Sequence, residues 1–163
     1  MSKLALAAIA ATLMSGAAIA HHDEIVWSTG DVVVSHAWTY ENVEMAHAMR
    51  VYLTVENTGE AADRLVSASV PFAERVLFEG QAMDADGALE HRVFDAITVA
   101  PNQTITMQPG AVWIELDGVQ ATFDHGEHFD MTLTFENAGT IAIEVEVEAA
   151  DDHEDGHDHE PSA

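Results

Sequence analysis

Hydrophobic and polar residues alternate with a period of two through most of this chain, in short runs broken by turn residues. Val51-Tyr52-Leu53-Thr54-Val55-Glu56 puts Val51, Leu53 and Val55 on one face and closes at Asn57-Thr58-Gly59. Phe129 to Phe135 alternates in the same way, turns at Asn137-Ala138-Gly139, and leads into Ile141 to Val147, a clean period-2 strand. Shorter apolar pieces lie between: Arg64-Leu65-Val66, Arg75-Val76-Leu77-Phe78, Val93 to Val99, Thr104 to Met107 and Val112 to Leu116. A polar turn from Met83 to Ala88, Pro101-Asn102 and Pro109-Gly110 separate them. Helical periodicity is almost absent, a short turn or two at most. Many short strands at regular spacing predict an all-β fold, an antiparallel sandwich or barrel.

The front of the domain predicts a hairpin: Ile25-Val26-Trp27, a Ser28-Thr29-Gly30-Asp31 turn, then Val32-Val33-Val34. Centred on Thr29-Gly30, its ladder sets His22 and Asp23 opposite His36 and Ala37. The core face of the strand through Val51, extended backwards, carries Met49, His47 and Met45. Both arguments bring histidines toward one end of the sandwich.

Two stretches break the pattern. Leu4 to Met14 is an apolar run behind Lys3, followed by Ala18-Ile19-Ala20. A charged start, an apolar middle and an A-x-A end predict a secretory signal peptide over residues 1–20, cleaved after Ala20, and hence a periplasmic or otherwise exported protein. From residue 149 the apolar residues give out, and Asp151 to Glu160 predicts a disordered tail over 149–163. Residues 21–148 form the domain between them, and the about 143 residues left after the leader suffice for one core. No run in the mature chain is long enough to span a membrane.

Asp and Glu number 29 against 5 Lys and Arg, a formal net charge of −24. Such a surface repels nucleic acid and anionic lipid and attracts cations. The chain has no cysteine, which excludes disulfide staples, Cys-type zinc sites, iron–sulfur clusters and CxxC redox chemistry.

Cleavage after Ala20 would leave His21 as the first residue, with a free α-amine and an imidazole able to chelate one ion. Nitrogen donors of this kind favour Cu(II) among first-row divalent metals. Among the other histidines the hairpin argument brings His47 and His36 to this end, ranked in that order, ahead of His91, His125 and His128. Met45 and Met49 flank His47 and could offer thioethers to Cu(I). In the tail, His153, His157 and His159 alternate with carboxylates, a pattern that holds divalent ions loosely.

Several phrases, in order, are similar to the PCu(A)C family of periplasmic copper chaperones: Ala37-Trp38, Val51 to Asn57, Asp63-Arg64-Leu65-Val66, Gln108-Pro109-Gly110 and Leu133 to Gly139. The resemblance spans roughly Ile25 to Val147 and implies a cupredoxin-like antiparallel Greek-key β-sandwich. The family usually holds Cu(I) with a His, a Met and a His-x-Met pair, which fall here at Phe78, at or near His91, and at Trp113 and Glu115. Only His91 remains a plausible donor, since Cu(I) selects thioether and imidazole. The chain thus resembles the branch that binds copper through a histidine brace, with His21 supplying two of three nitrogens.

The resulting expectation is an exported copper chaperone or carrier that delivers or buffers the ion, handing it to a periplasmic or membrane cuproprotein. A degenerate family member serving as an interaction module is the alternative, as is a zinc or nickel buffer acting through the tail. No arrangement of nucleophile, base and orienter is legible, so no enzyme is expected.

Overall fold

The structure is a computed structural model that describes residues 25–42 and 46–150. Eleven strands follow one another: β1 (Val26–Thr29), β2 (Val32–Tyr40), β3 (Ala48–Asn57), β4 (Asp63–Ser69), β5 (Arg75–Met83) and β6 (Leu89–Phe94). Then come β7 (Ile97–Val99), β8 (Thr104–Thr106), β9 (Val112–Asp117), β10 (His128–Phe135) and β11 (Gly139–Glu148). No helical element stands among them. The path of hydrogen-bonded neighbours runs β6-β5-β9-β3-β2-β11-β10-β4-β7, with β1 added beside β2 and β8 beside β3. All pairs are antiparallel except one, β2 with β11.

The path folds over so that both halves share one core. Val51, Leu53 and Val55 of β3, Ile114 and Leu116 of β9 and Phe78 of β5 meet Leu65, Met131, Leu133, Ile143 and Val145 from the other half. Period-2 alternation decides this most plainly in β11, where Ile143, Val145 and Val147 are buried between exposed glutamates.

Two details differ from the sequence reading. Val93 to Val99 is not one strand. It breaks at Asp95-Ala96, because β6 pairs with β5 while β7 pairs with β4, at opposite ends of the sheet path. The first hairpin turns at Gly30-Asp31, pairing Thr29 with Val32 and Val26 with Ser35. Gly30, at φ +54, supplies the left-handed conformation such a turn needs. This shifts the register by two residues, so the faces keep their identity, and the ladder ends at Val26 and Ser35, just before His36.

Strand β2 contains the irregularity that matters most. From Ser35 to Trp38 it advances three residues while its partner advances two, Thr54 to Tyr52. The extra residue is a β-bulge, with His36 at φ +50. Val32 and Val34 face the core; simple alternation would put His36 there next. The bulge leaves His36 exposed, returns Ala37 and Thr39 to the inside, and turns Trp38 outward against Tyr52.

Polar side chains inside the fold are fully engaged. Asn57, 1% exposed, donates to the carbonyls of Ala61 and Val99 and accepts from the Gly59 amide. Asp63 ties β4 to the β10–β11 turn by accepting from the amides of Arg64, Asn137 and Ala138 at 2.7, 2.9 and 2.8 Å. Burial pushes the Asp63 carboxyl up, but these amides and the Asn137 side chain outweigh it and hold the group below its ordinary 3.8. A carboxylate that binds protons more weakly folded than unfolded stabilises the fold above the unfolded pKa. That contribution vanishes as pH falls through the lower folded value. Asp63→Ala should cost about 1–3 kcal/mol at neutral pH by orphaning buried amides. The deficit should shrink in acid denaturation melts as the wild-type carboxylate becomes protonated.

Candidate metal centre

The described histidines do not converge. His36 sits exposed on the β2 bulge, its ring 6.4 Å from that of Trp38. His47, also exposed, lies just before β3, where its carbonyl accepts from the Gly118 and Val119 amides at 2.8 and 3.1 Å. His36 lies level with the Tyr52–Thr54 stretch of β3, so some six residues of strand, roughly 20 Å, separate it from His47. The two are therefore alternative partners for an ion and cannot share one. Met49 is 5% exposed and packs in the main core, leaving its thioether little access to a surface ion. His125 stands in an exposed turn, and His128 opens β10 with Nδ1 3.5 Å from Glu144 Oε1. His21, Met45, His153, His157 and His159 lie outside the described residues. Among the described residues no group of three His, Asp or Glu side chains is placed to hold an ion.

A different set does meet, on the outer face of β6-β5-β9-β3. Trp113 donates its indole N–H to Glu115 Oε2 at 2.7 Å, and Arg50 Nε reaches the same oxygen at 3.1 Å. The Arg50 guanidinium lies 4.6 Å from the Trp113 ring centre, a cation–π contact that completes a closed triangle. Next along the face, His91 Nε2 is 2.9 Å from Glu79 Oε2, and its ring centre lies 5.9 Å from that of Trp113. Trp38, Tyr52 and Trp113 form a second, smaller apolar cluster on this side, with Tyr40 against it. Burial raises the Tyr52 hydroxyl above its ordinary value; Arg50 pulls it down, and Tyr40 and Glu115 push it up. An open hollow beside the triangle is lined by Tyr40, Asn42, Ala48, Arg50, Tyr52 and Glu115.

The model of the LpqE-like family matches residues 32–147, most of the chain. The chain belongs to the LpqE-like family. Among solved structures it is similar to the copper-bound PCuAC domain from PmoF2, at 29% identity and a TM-score of 0.66, covering 77% of this chain and 98% of that one. The apo PCuAC domain from PmoF1 follows at 24% identity and a TM-score of 0.66, covering 77% and 99%. Apo-DR1885 from Deinococcus radiodurans, at 19% identity, has a TM-score of 0.58 over 91% of this chain and 97% of that one. No curated protein matches the chain. The fold is accordingly the cupredoxin-like β fold of PCuAC domains.

In this LpqE-like chain one of the positions marked by the resemblance does not lie on the outer face. Phe78 pairs with Ile114 and points into the core. Glu79, not Phe78, pairs with Trp113 and shares its face. Of the positions that the resemblance marked for soft ligands, Phe78 is thus in the core, while His91, Trp113 and Glu115 lie on the outer face, where His91 meets Glu79 and Trp113 meets Glu115. Glu79 and Arg50 were missed because neither belongs to a metal motif. Strict alternation along β5, once anchored on buried Phe78, would have placed Glu79 outside.

The triangle is structural, with a mostly buried carboxylate at its centre. Glu115→Ala should destabilise the fold by about 1–3 kcal/mol, since the indole N–H loses its acceptor and Arg50 its anchor. Trp113 fluorescence should shift, and Arg50→Lys should retain only part of the stability because an ammonium cannot stack flat on the indole.

Proposed function

We propose that this LpqE-like protein is an exported copper carrier that takes copper as cargo at its N-terminus and passes it on by ligand exchange. The observation that carries this reading is a combination. The fold is that of a domain solved with copper bound, yet the outer face offers Trp and carboxylate where soft donors would be required. A donor set must then come from elsewhere, and His21 after leader removal supplies an amine and an imidazole.

The fold supports His36 as the second imidazole. The ladder of β1 ends with Val26 paired to Ser35, the residue before His36, and a chain of four residues from Ile25 back to His21 spans at most about 14 Å. The left-handed backbone of His36 is a cost that a non-glycine residue bears more readily where function selects it. His47 remains the alternative, with Met45 beside it. The high negative charge draws cations toward the surface and favours a basic recipient. In this reading the protein carries copper rather than catalysing with it, and the His153, His157 and His159 tail adds loose capture.

The closed Trp113–Glu115–Arg50 triangle favours one competing reading, a family member that has given up a specific metal and serves as an interaction module.

Mass analysis of the secreted protein should find His21 as its first residue, and Cu(II) titration should give one tight site with a nitrogen-rich EPR spectrum. Adding one residue ahead of His21 should weaken that site by about 100-fold or more, the loss of a chelate ring. Equal affinity in the two forms would leave the interaction module standing. His36→Gly should fold at least as stably as the wild type, because glycine accepts φ +50 without penalty, while losing most copper affinity. If His47→Ala rather than His36→Gly loses the affinity, His47 is the second donor.

A further inference from the structure

The last strand fixes where the chain leaves the domain. β11 runs parallel to β2, with Glu146 beside Trp38 and Glu148 beside Tyr40. The exit is pinned, because the Glu41 amide donates to the Glu148 carbonyl at 2.9 Å and the Val147 amide to the Glu127 carbonyl at 2.9 Å. The described residues end at Ala150, and 151–163 follow, with His153 nearest the exit.

Cu(II) favours four donors in a plane, and His21 with His36 provides three nitrogens. Among the described histidines none is well placed to be the fourth. His47 is roughly 20 Å from His36 along the strand, and His91 stands on the far hairpin. His128 lies beyond β11, where Glu144 already faces it at 3.5 Å.

The tail has the right reach. Thr39 pairs with Val51, so Tyr40 comes level with Arg50, about three residues or 10 Å along the sheet from His36. Glu148 stands one strand spacing to the side of Tyr40, which puts it about 11 Å from His36. A flexible chain of five residues, the separation of His153 from Glu148, has a mean span of about 12 Å and a limit of about 17 Å. For His157 and His159 the mean spans are about 17 and 18 Å. A tethered group has its highest effective concentration, in the millimolar range, when its mean span matches the distance to be bridged. His153 meets that condition.

Charge makes the contact depend on the cargo. Glu144 and Glu146 are exposed beside β2, and the tail is itself acidic, so the two repel in the metal-free protein. A bound cation reverses the local sign.

We propose that the C-terminal tail folds back along β2 over the loaded site and that the His153 imidazole takes the fourth position on the copper held by His21 and His36. This rests on the N-terminal copper reading and adds a latch to it. Release is then a ligand exchange without electron transfer: a donor of the recipient bonds the ion as the bond to His153 breaks.

Pulsed EPR of the full mature chain with one equivalent of Cu(II) tests it, together with the rate at which EDTA withdraws the ion. The wild type should show three coordinated imidazoles and His153→Ala two, with withdrawal at least 10-fold faster. His157→Ala and His128→Ala should change neither. Inserting about twenty Gly and Ser residues after Ala150 keeps every donor but lowers the effective concentration of His153 about 10-fold, and should speed withdrawal accordingly. Two imidazoles in the wild type, or three and slow withdrawal in His153→Ala, overturn the latch and leave the N-terminal site standing. Loss of the third imidazole in His128→Ala instead also overturns it. A spectrum unchanged by an extra residue ahead of His21 overturns the latch and the N-terminal site together.

Discussion

One edge of β2 is shared by two strands, and the fold depends on how that edge is divided. β3 occupies the other edge along the length of β2, so β1 and β11 must take turns. β1 pairs with Val32 to Ser35, and β11 pairs in parallel with Trp38 to Tyr40. The parallel pairing joins the two halves of the sheet path and lets them close over one core. The division falls at His36 and Ala37, where the bulge adds its residue. Sheet closure and the exposed left-handed histidine are thus consequences of a single backbone arrangement.

The same bulge organises the outer face. By shifting parity it sends Trp38 outward onto Tyr52, and the aromatic cluster then extends to Trp113 on β9. Trp113 in turn needs an acceptor for its indole N–H, and Glu115 supplies it while Arg50 neutralises the carboxylate. Without disulfides, the domain rests on its core and on such satisfied polar contacts. The triangle and the Asp63 carboxylate at the β10–β11 turn are two of these, and both use a charge where the chain has few cations to spare.

Among the described residues the histidines are spread over the surface instead of being gathered in one pocket. His36 lies at the bulge, His47 ahead of β3, and the His91–Glu79 pair on the far hairpin. Each holds at most one or two donors among the described residues. Copper carriage in the proposed sense requires further donors, from the liberated N-terminus. Incomplete ligand sets of this kind suit a protein that must release its ion, because a site completed from outside is also readily dismantled.

Period-2 alternation was legible in the residues themselves, and it determined the all-β class, the core faces of β3, β10 and β11, and most turn positions. The family resemblance likewise lay in the order of short phrases from Ala37 to Gly139. Local patterns cannot count residues across a bulge or choose between neighbours distant in sequence. For that reason the split of Val93 to Val99 between opposite sheet edges, the pairing of Glu79 with Trp113 and the roughly 20 Å between His36 and His47 were decided only by tertiary structure. Side-chain type is written residue by residue; which side chains meet depends on strand register, and register is settled by the packing of the whole sheet.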